Sequence, residues 1–162
     1  IITPELKEEN HKIVEVVLPK NEYFVFDFDK VKQIYDNVHE LMKNNQVYSA
    51  YTIKDGGLLE AVYKVAFGNE IGVDLNSELS INELCAKNYG NIILEVDKNF
   101  IINHNNIKEI GETIDEKVIS YKNEVVSLSD ALEIYKKMQV YENKYKDIKF
   151  KYWIENTIKA YL

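Results

Sequence analysis

Between Ser49 and Leu75 the chain reads strand, tight turn, helix, turn, strand: S-A-Y-T-I-K, D-G-G, L-L-E-A-V-Y-K-V-A-F, G-N-E, I-G-V-D-L. A strand that passes through paired glycines into a helix and returns as a strand needs a sheet with that helix packed on it. Gly56 and Gly57 stand where strand becomes helix. Backbone N–H groups project from such a junction and can hold an anion, which makes this turn the candidate ligand loop. A lone Asp-Gly-Gly lacks the spacing of a P-loop or a dinucleotide fingerprint. Glycine here also suits an ordinary strand-to-helix turn with positive φ.

The chain has 162 residues, enough for one domain with a real core. Its formal net charge of −7 argues against nucleic acid and anionic membrane as partners. All the positive side-chain charge outside histidine is lysine, and arginine is absent. Phosphate contacts therefore fall to backbone N–H groups, hydroxyls or a lysine rather than to a guanidinium fork. The single cysteine, Cys85, rules out an internal disulfide and fits a reducing, cytoplasmic compartment. Its place in the pattern Ile81, Leu84, Cys85 predicts a small buried side chain. No apolar run reaches the ~18 residues that would span a bilayer. The chain opens on Ile1 rather than Met, as expected for a piece of a longer protein or a processed product.

The remaining elements follow from periodicity and punctuation. Residues 1–10 read as an irregular lead-in, and Lys12–Leu18 as a strand closed by Pro19. Asp27 or Asp29 caps a helix reaching about Asn45, with Phe28, Val31, Ile34, Tyr35, Val38, Leu41 and Met42 inward. Val47–Ile53 is a strand. Leu58–Phe67 is a helix, with Gly68-Asn69 as its left-handed stop. Ile71–Leu75 is a strand. Ser80 caps a short helix, Ile81–Lys87, and Glu83 completes a capping box. Asn91–Val96 is a strong strand. Ile107–Ile114, Lys117–Tyr121 and Glu124–Leu128 read as three short strands forming a meander. A helix then runs from Ser127 or Ser129 to about Tyr145, and Phe150, Trp153, Ile154, Thr157, Ile158 and Tyr161 form a last helical stripe. The order β-α-β-α-β-α-β, a meander and helices predicts a single α/β domain over residues 1–162, a mixed sheet with helices on its faces, and a tail helix at 146–162.

Around the glycine turn, Thr52 and Lys54 lie two residues apart, on one face of the strand end, where a hydroxyl and an ammonium can meet a phosphate. Asp55 suits either a hard cation such as Mg²⁺ or an Asx cap of the turn. His11, His39 and His104 show neither metal-ligand spacing nor an evident partner. The acidic residues read mostly as solvated faces.

The segment K-D-G-G-L-L-E-A-V-Y-K-V-A-F-G-N-E-I-G-V-D-L resembles the glycine-loop region of the C-terminal domain of the aminoimidazole-ribonucleotide-synthetase-like superfamily, and within it the phosphoribosylformylglycinamidine synthase family. The opening T-P-E-L-K, the strand K-I-V-E-V-V-L-P, the helix start D-F-D-K-V, the strand N-Y-G-N-I-I-L-E-V and the run V-V-S-L-S-D-A-L-E-I-Y extend the likeness to about Tyr145. It implies a three-layer α/β/α domain, a second copy within a larger enzyme. That enzyme amidates formylglycinamide ribonucleotide in purine biosynthesis, using ATP, Mg²⁺ and ammonia from glutamine. The implied partners are ATP-binding N-terminal domains and a glutaminase domain, and a phosphorylated small molecule is the implied ligand. Thr52, Lys54, Asp55, Gly56 and Gly57 become the nucleotide-binding candidates, with no catalytic residue and no metal ligand assigned. Many relatives carry His-Asp-x-Ser-Asp-Gly-Gly where this chain has Tyr51-Thr52-Ile53-Lys54-Asp55-Gly56-Gly57, so only the last three positions carry over. Selenophosphate synthetase and thiamine-monophosphate kinase are the rival families of the same superfamily, and a non-catalytic interaction domain is the rival role. On this reading the chain alone is inactive.

Overall fold

The computed structural model describes residues 1–23 and 25–139; those up to Leu128 form one unit, and the described residues from Ser129 on belong to a second. In the second unit residues 129–139 are helical. The expected continuation to Tyr145 and the tail stripe at 146–162 lie outside the described residues.

The first unit holds β1 (Lys12–Val16), α1 (Phe28–Lys43), β2 (Val47–Thr52), α2 (Gly57–Asn69), β3 (Gly72–Leu75), α3 (Ile81–Cys85), β4 (Ile92–Val96), β5 (Ile107–Ile114), β6 (Val118–Tyr121) and β7 (Glu124–Ser127). Among the described residues the strands form one seven-stranded sheet in the order β2-β4-β1-β5-β3-β6-β7. All neighbours are antiparallel except β3 and β6. The period-two alternation of side chains sends β1 and β4 residues to two cores. Val14, Val16, Leu94 and Val96 pack with Ile34 and Val38 of α1. Ile13 and Ile93 pack with Leu58, Val62 and Val65 of α2 and Leu84 of α3. Helices thus cover both faces, and the architecture is the expected three-layer α/β/α with a mixed sheet.

Several local expectations change. The last three strands do not form a meander, because β3 lies between β5 and β6. The connection from β5 to β6 passes over the start of β3 at Gly72, where a Cβ would fall 1.8 Å from the Glu116 carbonyl oxygen. Only glycine permits that crossing. The left-handed stop of α2 is Glu70 (φ 55°), not Gly68-Asn69. Those two residues are helical and serve the N-terminal segment: Gly68 makes room for Glu5, and the Asn69 side chain donates to the Leu6 carbonyl at 2.8 Å. α1 starts after Asp27, whose carboxylate caps the Lys30 N–H. Phe28 is 72% exposed, because the stripe that reaches the sheet is narrow and centred on Ile34 and Val38. Tyr35 also stays at the margin and donates its hydroxyl to the Gly90 carbonyl. α3 carries the capping box but ends at Cys85. With five residues it buries only Leu84, so Ile81 and Cys85 are exposed rather than buried.

The lead-in is irregular but firmly stitched. Thr3 bridges to Ser49, Leu6 is fully buried, and the Leu6 N–H donates to the Val65 carbonyl at 3.0 Å. The anchor is Glu95 of β4, whose side chain is fully buried. Its carboxylate accepts the Lys7 and Glu8 N–H groups, each at 2.9 Å, and meets His11 Nδ1 at 2.9 Å. His11 therefore has a partner after all, and it lies against the Tyr48 ring at 4.4 Å. Glu15 of β1 is buried as well and accepts from the Asn91 side chain at 2.7 Å. These two carboxylates depart from the solvated role expected of acidic residues. Removing a buried acceptor strands the donors aimed at it. Glu95→Ala is expected to cost about 3 kcal/mol or more, read as a lowered urea midpoint, with faster amide exchange at Lys7 and Glu8.

Candidate functional site

The strand-to-helix turn is built from three decisions of the sequence. β2 ends at Thr52, and the Ile53 N–H donates to the Asn91 carbonyl at 2.8 Å, which fixes where the chain leaves the sheet. Gly56 is the N-cap of α2 with φ −84°, and Gly57 takes φ +72°. A Cβ on Gly57 would sit 2.7 Å from the Cys85 carbonyl carbon and 2.8 Å from the Leu84 oxygen. The second glycine is thus required twice, by its backbone angle and by the end of α3 lying against it.

The candidate residues are distributed as follows. Thr52 is exposed, and its register with Ile92 places it on the α1 side of the sheet. The Lys54 ammonium lies 5.4 Å from the centre of the Tyr51 ring, whose side chain packs with the α2 side. The shared face expected for Thr52 and Lys54 is therefore not formed. The Asp55 carboxylate accepts from the Tyr89 hydroxyl, a bond that raises the phenol's pKa above its ordinary value. The Gly56 N–H donates to Glu60 Oε2 at 2.8 Å, and the Gly57 N–H donates to the Lys54 carbonyl at 3.1 Å. Glu60 in turn pairs with Lys64 at 2.6 Å. Burial works against ionisation of Glu60, but the Lys64 ammonium and the Gly56 N–H outweigh it and hold its pKa below the usual range.

The polar groups of this turn are engaged with one another and with nearby residues. Both glycine amides, the Asp55 carboxylate and the Lys54 ammonium already have partners in the chain. Among the described residues no three His, Cys, Asp or Glu side chains gather where a metal ion could be held. A groove of about 390 Å³ lies elsewhere, over Asp74, Glu109, Glu112 and Lys122, and includes none of residues 52–57. Among the described residues no helix is long and apolar enough to cross a membrane.

Sequence reasoning missed Glu60 as the partner of Gly56, and it missed Glu15, Glu95, His11 and Asn91 as buried polar groups. A signal was present for two of them. In K-I-V-E-V and I-I-L-E-V the flanking residues of both parities are apolar, so both faces are covered and the glutamates are covered with them.

Gly57→Ala is expected to cost about 2–4 kcal/mol, because the new methyl meets backbone atoms that cannot swing aside; urea unfolding measures it. The neighbouring α3 supplies a pH signature. Lys108, then the N–H and hydroxyl of Ser80, lower the Glu83 pKa from 4.5 to about 2. A depressed carboxylate stabilises the fold above its unfolded pKa and loses that contribution as pH falls through the folded value. The stability difference between the wild type and Glu83→Gln should therefore be full at neutral pH, shrink below about pH 4.5 and vanish near pH 2.

No family model matches the chain. The PurL subunit of phosphoribosylformylglycinamidine synthase from Methanococcus aeolicus is 32% identical over 102 residues, 59% of this chain and 13% of that protein. The chain thus spans about an eighth of that relative's length. Phosphoribosylformylglycinamidine synthase II of Thermotoga maritima superposes with a TM-score of 0.60 at 15% identity, covering 79% of this chain and 27% of the other. The same Thermotoga protein, PurL, has been solved complexed with ATP, a match of TM-score 0.57 at 14% identity over 78% of this chain and 26% of that one. Thiamine monophosphate kinase from Aquifex aeolicus follows with a TM-score of 0.55 at 13% identity, over 78% of this chain and 55% of the other. The structural likenesses establish the fold, and the sequence likeness points to the synthase rather than the kinase. The chain shares its fold with PurL and, over 102 residues, is similar in sequence to part of a PurL subunit.

Proposed function

We propose that this chain is one domain of a phosphoribosylformylglycinamidine synthase, an ATP-dependent carbon–nitrogen ligase of purine biosynthesis. The whole enzyme would amidate formylglycinamide ribonucleotide, with ATP and Mg²⁺ and with ammonia taken from glutamine. The observation that carries the reading is the 32% identity over 102 residues to a PurL subunit, joined to a common fold. In that setting the domain works beside ATP-binding and glutaminase domains, in the reducing interior of the cell. Its own described residues offer the chemistry of a scaffold: a sheet covered on both sides, buried carboxylates that bond backbone, and a turn whose polar groups bond one another.

The chain alone is therefore expected to be inactive. ATP hydrolysis by the purified chain should not rise above blank when formylglycinamide ribonucleotide, Mg²⁺ and ammonia are added together. Turnover that depends on the ribonucleotide would defeat this assignment of labour. Addition of the chain to an extract lacking PurL should likewise leave amidation unrestored.

A further inference from the structure

We propose that in this chain the turn at residues 52–57 is closed to a Mg²⁺–nucleotide, and that Glu60 is the group that closes it. The inference deepens the reading of the chain as a PurL-like domain and rests on it. The start of a helix favours negative charge, and an N–H at that place bonds whichever anion reaches it first. Here the first anion is the chain's own. Glu60 lies one turn into α2 and reaches back to the Gly56 N–H, 2.8 Å away. Lys64, one further turn along, neutralises it at 2.6 Å. The Gly57 N–H is turned into the Lys54 carbonyl, and Asp55 is held by Tyr89.

A phosphate entering this turn would have to displace a carboxylate that is bonded on two sides. It would do so beside a second carboxylate, Asp55, whose charge repels it. Thr52 lies on the opposite side of the sheet from the Tyr51 ring, and the Lys54 ammonium lies over that ring. Glycine at 57 has a requirement that involves no ligand: it must pass the end of α3 at a positive φ.

The test follows the Gly56 and Gly57 amide resonances of the ¹⁵N-labelled chain during titration with Mg²⁺–ATP into the millimolar range. Neither should move. In Glu60→Ala the Gly56 amide should exchange about tenfold faster with solvent, as expected for loss of a hydrogen bond to a charged acceptor. If Glu60→Ala does not fold, Glu60→Gln serves: a displaced Gly56 resonance supports the assignment of Glu60, and an unchanged one overturns it. Saturable movement of either glycine resonance in the wild type overturns the closure. These outcomes are separate from the turnover assay, whose positive result would refute the inactivity of the chain without touching the bond at Gly56.

Discussion

Two strands at the heart of the sheet, β1 and β4, are covered on both faces, and this constraint governs most of the structure. A strand with helices on both sides has no solvent for its polar side chains, so each must find a partner within the chain. Glu95 finds it in the backbone of residues 7 and 8 and in His11, and Glu15 finds it in Asn91. Among the described residues no buried side-chain nitrogen or oxygen lacks a hydrogen-bond partner. The N-terminal segment is the clearest product of this demand. It has no regular structure, yet a buried carboxylate on one side and Val65, Gly68 and Asn69 of α2 on the other fix its course.

The double glycine illustrates how one local pattern can have two physical causes. Paired glycines before a helix suit an anion, because they expose N–H groups. They suit a tight crossing equally well, because they lack a Cβ. Which cause operates depends on atoms distant in sequence: the end of α3 some thirty residues on, and a glutamate whose side chain turns back on the helix start. The likeness to the PurL structures concerns the fold. Tyr51 and Lys54 lie together, while Thr52 lies on the other side of the sheet.

Much of the architecture was legible in the sequence. The order of strands and helices, a cap at one of Asp27 and Asp29, the capping box at Ser80, the bounds of β5 and, to within a residue, those of β6 and β7 follow from short-range patterns, because each depends on residues within a few positions. What was illegible depended on neighbours. The pairing of β3 with β6 is set by a crossing at Gly72, and a glycine inside a strand does not say which backbone passes over it. The exposure of Cys85 and Phe28 followed from how narrow a stripe of each helix meets the sheet. Periodicity gives the direction of such a stripe but not its width.

By itself the sequence determined an α/β fold with helices on the faces of a mixed sheet and the position of its one glycine-rich turn, because period-two and period-3.6 patterns and turn residues act locally. The tertiary structure alone decided what the N–H groups of that turn meet in the chain. Whether an N–H meets a ligand or a carboxylate of its own chain is settled by which group the fold brings within hydrogen-bond reach, and here that group is Glu60.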